Sequence, residues 1–246
     1  MKPTIGVVPR YKKLETDVAV VYISERTRRS LQKAGANVNL IMPVQDIDNI
    51  DSKTDEFKEF SIEEKKSIDD ILDNCDALLI PGGSKSTPYD RYLLEQAIIR
   101  KMPVLGICLG MQVMSFYKEN IELKDINSNI NHYPNNEINQ IAHKIKIDKN
   151  SKLFNLIGEE EIDVNSFHRK CITKNSIYNN VAASEDGVIE AIELPGDVFN
   201  IGVQWHPEIN YDFDINSRII MNGFVEAAKI YKENKNKELV TMGEII

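Results

Sequence analysis

The 246-residue sequence has few cysteines and no long apolar segment. Its cysteines, Cys75, Cys108 and Cys171, are odd in number and cannot all pair within one chain. The N-terminal apolar stretch is too short for an export signal, and no segment reaches the ~18 apolar residues of a membrane-spanning helix. We therefore expect a cytoplasmic protein with reduced thiols and no membrane contact.

Basic residues are also in the minority. The chain has 30 Lys and Arg against 38 Asp and Glu, for a formal net charge of -8. A nucleic-acid-binding protein needs a clustered basic surface, so this balance argues against nucleic acid as a partner. Internal repeats are absent, and the remaining composition is typical of a globular chain long enough to bury a core without a disulfide or metal.

Strand-like and helix-like segments alternate in the first half of the chain. The predicted strands are Thr4–Pro9, Asn37–Met42, Ala77–Ile80 and Val104–Ile107. The predicted helices are Val20–Lys33, Ile62–Leu72, Tyr89–Arg100 and Leu109–Tyr117. Strands that are mostly apolar are covered on both faces, which is typical of a parallel sheet with helices on each side. The acidic segment Asp46–Glu59 is predicted to be a loop or a short helix.

The second half is richer in strands. These are predicted at His143–Ile147, Glu161–Val164, Val181–Ala183, Val188–Glu193 and Asn200–Gln204. A last helix is predicted over Ile215–Lys232, and the polar segment Asn120–Asn139 is predicted to be a surface excursion near the site. The whole pattern predicts one α/β domain over residues 1–232, with a mostly parallel central sheet, followed by a charged tail over residues 233–246.

Cys108 stands between a predicted strand and the next helix, in the segment VLGICLG. A nucleophile elbow has this pattern, because a sharp turn projects one side chain from the sheet and flanking glycines avoid Cβ clashes. A helix N-terminus also favours the reactive thiolate. The alternative interpretation is a small buried hydrophobic residue, which we accept for Cys75 and Cys171 because they lack such a frame.

A thiol nucleophile needs a base, and His206 is the strongest candidate among the four histidines. It follows an apolar strand in IGVQWHPE, and Glu208 stands two residues later, where its carboxylate can orient the imidazole. The alternative is a His–Glu pair that only closes a strand edge. His168, in VNSFHRK, is the rival base, and we interpret it as a pocket-lining or structural residue because no carboxylate follows it closely.

The other two histidines, His132 and His143, are predicted to face solvent or to be satisfied by local hydrogen bonds. No two of the four histidines have the spacing of a recognised metal-binding motif, so no metal site is predicted. The sequence implies no cofactor.

Acyl transfer also needs hydrogen-bond donors for the oxyanion that forms in the transition state. The backbone N–H of Leu109, directly after the cysteine, is one candidate. The turn Pro81–Gly83 ends the neighbouring strand, and the N–H of Gly83 is the second candidate because a glycine lets the backbone come close. The alternative for this segment is a simple turn.

Three segments, PGG at residues 81–83, GICLGMQ at 106–112 and GVQWHPE at 202–208, together resemble the class I glutamine amidotransferase superfamily. Further segments, among them IGVVPR, DALLIPGG, VNSFH and DGVIEAIE, resemble its peptidase C26 branch of γ-glutamyl hydrolases and γ-glutamyl-γ-aminobutyrate hydrolases. The resemblance extends from Ile5 to about Phe224. It implies a flavodoxin-like three-layer sandwich.

The resemblance also implies an activity and a set of site residues. The implied enzyme releases glutamate from a γ-linked amide through a thioester, with Cys108, His206 and Glu208 as its triad. Gln112 is similar to a residue that helps to hold the γ-glutamyl group. A pocket wall that faces the substrate is implied for Asn165, Ser166 and Phe167.

Departures from that branch leave the identity of the leaving amine undetermined. Leu109 stands where the branch usually has arginine, and a leucine at this position resembles the glutaminase subunits of biosynthetic amidotransferases. Arg169 and Lys170 stand where the branch usually has a histidine and a glutamine. The expected partner is a small-molecule γ-glutamyl substrate, and a homodimer is left open. The alternatives are a glutaminase subunit that delivers ammonia to a synthase partner, and a catalytically silent binding protein. A redox thiol is disfavoured because no second cysteine is near in sequence.

Overall fold

The computed structural model describes residues 1–16, 18–45, 59–119, 121–134, 138–173 and 175–243. Five short strands form the parallel half of its central sheet. In sheet order these strands are β4 (Asn37–Leu40), β1 (Thr4–Val7), β5 (Ala77–Ile80), β6 (Val104–Ile107) and β13 (Asn200–Val203). All but β4 are almost fully buried, as expected for strands that helices cover on both faces.

The sheet continues beyond β13 with four antiparallel strands. In order these are β12 (Ile189–Glu193), β11 (Asn179–Ser184), β8 (His143–Ile147) and β9 (Glu161–Val164). Two small ribbons lie outside this nine-stranded sheet, formed by β2 (Arg10–Lys13) with β3 (Ala19–Tyr22), and by β7 (Lys124–Asp125) with β10 (Lys170–Cys171). The predicted combination of a parallel centre and a strand-rich second half is confirmed.

Helices cover both faces of the sheet and complete three layers. One face packs against α1 (Glu25–Lys33), α5 (Lys152–Ile157) and α7 (Ile215–Gly243). The other packs against α2 (Ile62–Asp73), α3 (Pro88–Ile99) and α4 (Leu109–Ser115). Side chains within one strand alternate between the two cores: Leu79 joins the first core, and its neighbours Leu78 and Ile80 join the second. None of the described helices is both long and apolar enough to cross a membrane.

Two predicted helix boundaries are wrong. The predicted helix Val20–Lys33 begins only at Glu25, where Ser24 caps it by accepting a hydrogen bond from the N–H of Arg26. The preceding residues, AVVY, form β3, since β-branched and aromatic residues favour a strand.

The last helix, predicted to end at Lys232, continues to Gly243. Lys232 lies 2.9 Å from Asp76, and Nζ of Lys235 donates to the carbonyl of Asp73, so the helix docks its charged side chains beside β5. The start of the predicted tail therefore falls within α7. The acidic segment Asp46–Glu59 lies outside the described residues except for Glu59.

The strand order brings three candidate segments to one edge of the sheet. β5, β6 and β13 are neighbours and parallel, so their carboxyl ends meet there. The turn Pro81–Gly83 follows β5, Cys108 follows β6, and His206 comes three residues after the end of β13. In open parallel sheets this edge is where ligands bind.

Candidate active site

Cys108 occupies a sharp turn between β6 and α4. Its backbone has φ 52° and ψ -106°, a combination that few residues other than glycine adopt. The N–H of Cys108 donates to the carbonyl of Val203 at 2.8 Å, and its carbonyl accepts from the N–H of Gln112 at 3.1 Å. These bonds hold an unfavourable backbone conformation in place, a feature that clusters at functional sites.

The glycines on either side of Cys108 are required by close packing. A Cβ at Gly110 would lie 1.9 Å from the carbonyl oxygen of Ile80, and a Cβ at Gly106 would lie 2.4 Å from the sulfur of Met114. Both distances are far below van der Waals contact. The predicted need for glycine around the cysteine is confirmed, and its cause is the close approach of α4 to β5.

His206 and Glu208 form a direct hydrogen-bonded pair. Nδ1 of His206 lies 2.8 Å from Oε1 of Glu208, and both side chains are buried. His206 follows β13, which stops at Val203, and it precedes the short helix α6 (Pro207–Asn210) that carries Glu208. The alternative, a pair that only closes a strand edge, does not apply because neither residue belongs to a strand.

The imidazole of His206 lies beside the thiol of Cys108. A Cβ built on Gly82 would lie 2.7 Å from Cε1 of His206 and 3.6 Å from Cβ of Cys108, so both side chains border one point next to the turn. Nε2 of His206 is buried and makes no hydrogen bond with any described residue, which leaves that nitrogen available to the thiol or to a substrate.

The pKa of His206 is held well above its ordinary value. Burial alone would lower this pKa, but the negative charges of Glu208 and Cys108 outweigh the effect of burial. The imidazole therefore favours its charged form at neutral pH, and a charged imidazolium stabilises a thiolate beside it.

Asn165 and Ser166 do not face the pocket, which corrects the predicted pocket wall. The side chain of Asn165 holds the backbone of His206 by two hydrogen bonds, accepting from its N–H at 2.8 Å and donating to its carbonyl at 3.0 Å. Ser166 is fully buried and donates to the carbonyl of His132. Of the three predicted residues only Phe167 lines the pocket.

Arg10 holds the turn Pro81–Gly83, a role that no motif in its local sequence indicates. Its guanidinium donates to the carbonyls of Pro81 and Gly82 and to the fully buried carboxylate of Asp90 at 2.5 Å. Asp90 also accepts from the N–H and hydroxyl of Thr87, which caps α3. The turn is thus tied to the start of α3 by a buried ion pair.

A cavity of about 720 Å³ opens beside these residues. Cys108, Leu109, Gln112, Gly83 and His206 line it together with Phe167. Four basic residues also line it, Lys85, Arg91, Arg169 and Lys170, which we call the basic rim. No Asp or Glu contributes to the lining within the described parts of the chain, so this cavity is suited to an anionic ligand.

The remaining histidines are buried. Of the two that are predicted to face solvent or to be satisfied by local hydrogen bonds, His143 has a local partner in the carbonyl of Lys144, whereas His132 contacts the distant carboxylate of Asp186. Together with His168 they surround Glu190 behind the pocket wall. His168 does line the cavity, as predicted, but its Nε2 faces Glu190 at 3.5 Å. Local spacing cannot indicate this partner, because Glu190 lies 22 residues further along the chain.

Comparisons with known proteins agree with the fold. The Peptidase C26 family model matches residues 87–208. A Schizosaccharomyces pombe protein, provisionally named a glutamine amidotransferase, is 34% identical over 148 residues, which cover 58% of this chain and 58% of that relative. A Mycobacterium tuberculosis protein with the same provisional name is 28% identical over 94% of this chain and 76% of its own length.

Two further relatives extend this comparison. The γ-glutamyl-γ-aminobutyrate hydrolase of Escherichia coli is 26% identical, over 72% of this chain and 81% of its own length. A crystal structure from Thermoplasma acidophilum, of a protein provisionally assigned to GMP synthase, has a TM-score of 0.63 at 17% identity, over 96% of this chain and 98% of that one. At that identity the structural likeness shows the fold alone.

The three-layer fold, with a strained cysteine elbow at the carboxyl edge of the sheet, defines an amidotransferase-like α/β protein. The chain is similar to members of the class I glutamine amidotransferase superfamily, and residues 87–208 match the Peptidase C26 family model.

The charge on His206 leads to a prediction about thiol reactivity. At mildly acidic pH, iodoacetamide should alkylate Cys108 faster than Cys75 or Cys171, because ordinary thiols, with a pKa of about 8.5, are protonated there. Burial raises the pKa of Cys75 to about 11. His206→Ala should slow alkylation of Cys108, because it removes the imidazolium that stabilises a thiolate beside it. Timed quenching and peptide mass spectrometry measure the three rates, and equal Cys108 rates in both proteins would contradict the ion pair.

Proposed function

We propose that the chain is a cysteine-dependent hydrolase that cleaves the γ-glutamyl amide bond of a small γ-glutamyl compound and releases glutamate. The observation that carries this proposal is the arrangement of Cys108 on a strained elbow beside His206, whose other ring nitrogen is bonded to Glu208. This is the nucleophile, base and orienting carboxylate of a triad.

The reaction takes place in two steps. The thiolate of Cys108 attacks the γ-carbonyl carbon, and the imidazolium of His206 gives its proton to the leaving nitrogen as the C–N bond breaks. The neutral imidazole then takes a proton from water, whose oxygen attacks the thioester and breaks the C–S bond. Glutamate leaves, and the thiolate and imidazolium are restored. Glu208 keeps the ring oriented and stabilises its charge throughout.

The oxyanion of each step needs two donors, which we assign to the backbone N–H groups of Leu109 and Gly83. Both residues line the cavity beside Cys108, which supports the assignment. The ion pair of Arg10 with Asp90 limits movement of the turn that carries Gly83. We assign Gln112 to contact the γ-glutamyl group, because it lines the cavity and its side-chain amide donates to Gln204 and to the carbonyl of Lys170.

The basic rim supports a leaving amine that carries a carboxylate, such as γ-aminobutyrate. Arg91 and Arg169 are exposed and lie over the rings of Phe116 and Tyr133, 4.8 and 3.9 Å from the ring centroids. These rings hold the guanidinium groups without neutralising them. The relative from Escherichia coli, whose name states that it hydrolyses γ-glutamyl-γ-aminobutyrate, supports the same substrate class.

A glutaminase subunit is the second candidate, because Leu109 follows the cysteine as in the glutaminase subunits of biosynthetic amidotransferases. Glutamine leaves ammonia, which carries no anionic group for a basic rim to hold. The rim therefore favours the hydrolase. A homodimer stays a prediction.

The triad assignment predicts unequal losses among matched variants. Cys108→Ala and His206→Ala should each lower kcat/KM by about 10⁴-fold or more, whereas Glu208→Gln should cost less because Glu208 transfers no proton. Cys171→Ala is the control, since Cys171 does not line the cavity and should leave kcat/KM unchanged. Steady-state release of glutamate measures all four. Activity near wild type in Cys108→Ala would remove the nucleophile assignment.

The rim predicts a preference for charge on the amine side. The chain alone should hydrolyse γ-glutamyl-γ-aminobutyrate with a kcat/KM about tenfold or more above that of γ-glutamyl-n-butylamide, which lacks the carboxylate, because a charge-assisted hydrogen bond contributes about 1.5–3 kcal/mol. Arg169→Gln should reduce this ratio and leave the butylamide rate unchanged.

Glutamine with the isolated chain is the third substrate to compare. Glutaminase activity that requires an added synthase, together with no turnover of either bulky amide, would favour the second candidate. Equal rates on the charged and neutral amides would instead show that the rim does not select the substrate.

A further inference from the structure

Three histidines and one glutamate from four separate segments converge behind the pocket wall. His132 belongs to the loop before β8, His143 begins β8, His168 follows β9, and Glu190 lies in β12. Oε1 of Glu190 is 3.2 Å from Nδ1 of His132, 3.4 Å from Nε2 of His143 and 3.5 Å from Nε2 of His168. We call these four residues the histidine–glutamate cluster.

The outer nitrogen of each ring is already held by an acceptor. Nε2 of His132 lies 3.0 Å from the carboxylate of Asp186, Nδ1 of His143 lies 3.3 Å from the carbonyl of Lys144, and Nδ1 of His168 lies 3.1 Å from the carbonyl of Lys170. An acceptor at the outer nitrogen places the ring proton there. The inner nitrogen of a neutral ring then presents its lone pair to the centre of the cluster.

The centre of the cluster is not satisfied by the protein. The three inner nitrogens contact Oε1 of Glu190 at 3.2 to 3.5 Å, but among the described residues none of these nitrogens and neither oxygen of Glu190 has a partner with good hydrogen-bond geometry, although all are buried. Buried polar atoms are nearly always satisfied, and lone pairs that face a carboxylate repel one another. Four of these atoms, one from each residue, lie within 4.8 Å of one another and call for a cation between them.

We propose that the histidine–glutamate cluster binds a divalent transition metal, with zinc as the best fit, and that this metal holds the wall of the active-site pocket. Imidazole and carboxylate are ordinary zinc ligands, and four protein ligands in tetrahedral geometry are typical of a structural site. The two positive charges of one zinc ion balance the negative charges of Glu190 and Asp186. Asp186 accepts a hydrogen bond from the outer nitrogen of His132 and so orients that ligand.

The distances fit a tetrahedral zinc ion. Bonds of 2.0–2.1 Å place neighbouring ligand atoms about 3.3–3.4 Å apart, and the three contacts of Glu190 span 3.2 to 3.5 Å. All ligand atoms lie within 4.8 Å of one another, so the wider histidine separations contract on binding. The four residues are at most 8% exposed, which leaves no open position for a substrate and makes the site structural.

The position of the cluster explains what the metal does. Hydrogen bonds join His132 to the pocket wall. The backbone carbonyl of His132 accepts from the N–H of His168 at 2.9 Å and from the hydroxyl of Ser166 at 2.8 Å. Phe167 and Arg169 on either side of His168 line the cavity. A metal ion therefore fixes the segment that carries half of the basic rim, whether or not the proposed hydrolysis takes place.

Zinc titration of the chelator-treated full chain tests this inference. We expect about one zinc per chain by elemental analysis after gel filtration, and a higher Tm with zinc than with chelator. His143→Gln and Glu190→Gln should lose both the zinc and the rise in Tm. His143 does not line the cavity, so its variant changes the metal site without a direct change in the pocket. Cys108→Ser is the control and should keep the full zinc content.

Cobalt gives a measurement on the wild-type chain that does not depend on the folding of any variant. Co²⁺ in the cluster should give the intense visible absorption of a tetrahedral site and no thiolate-to-metal charge-transfer band, because no ligand is a cysteine. No zinc or cobalt uptake by the wild type would overturn the proposal. A thiolate band, or zinc lost in Cys108→Ser but kept in His143→Gln, would place the metal at the thiol and overturn it equally.

Discussion

The close approach of α4 to β5 is the constraint on which the site depends. Gly110 sits against the carbonyl of Ile80 so closely that even a methyl group would overlap it, and the chain reaches this position only by passing through the strained backbone of Cys108. The strain is maintained by backbone hydrogen bonds to β13 and α4. The conformation that presents the thiol is therefore built from neighbouring strands rather than from the elbow alone.

The same edge of the sheet carries a second constraint, the buried ion pair of Arg10 and Asp90. Removing one partner of such a pair leaves an uncompensated buried charge, which costs about 3–5 kcal/mol. Here the pair also holds the carbonyls of Pro81 and Gly82, so its geometry sets the position of the turn beside the thiol. Asn165 likewise fixes the backbone of His206 by two hydrogen bonds, one to its N–H and one to its carbonyl. Both are positioning residues that act through the backbone of their neighbours.

Features carried by short segments were predictable from the sequence. The elbow at Cys108 and the pairing of His206 with Glu208 need only local spacing, and the apolar strands revealed the parallel sheet. Features that join distant segments were not. Arg10 and Asp90 are 80 residues apart, and the histidine–glutamate cluster draws on four segments with no ligand spacing in sequence. The start of α1 was missed because helical periodicity competed with β-branched residues that pair with β2.

The central claim is that Cys108 forms a covalent γ-glutamyl thioester. Rapid acid quench of the chain during turnover of γ-glutamyl-γ-aminobutyrate, followed by peptide mass spectrometry, tests this claim most directly. The account predicts a γ-glutamyl adduct on the peptide of Cys108, formed and consumed at rates compatible with turnover and absent from the peptides of Cys75 and Cys171. Turnover with no adduct on Cys108, or with the adduct on another residue, would contradict it.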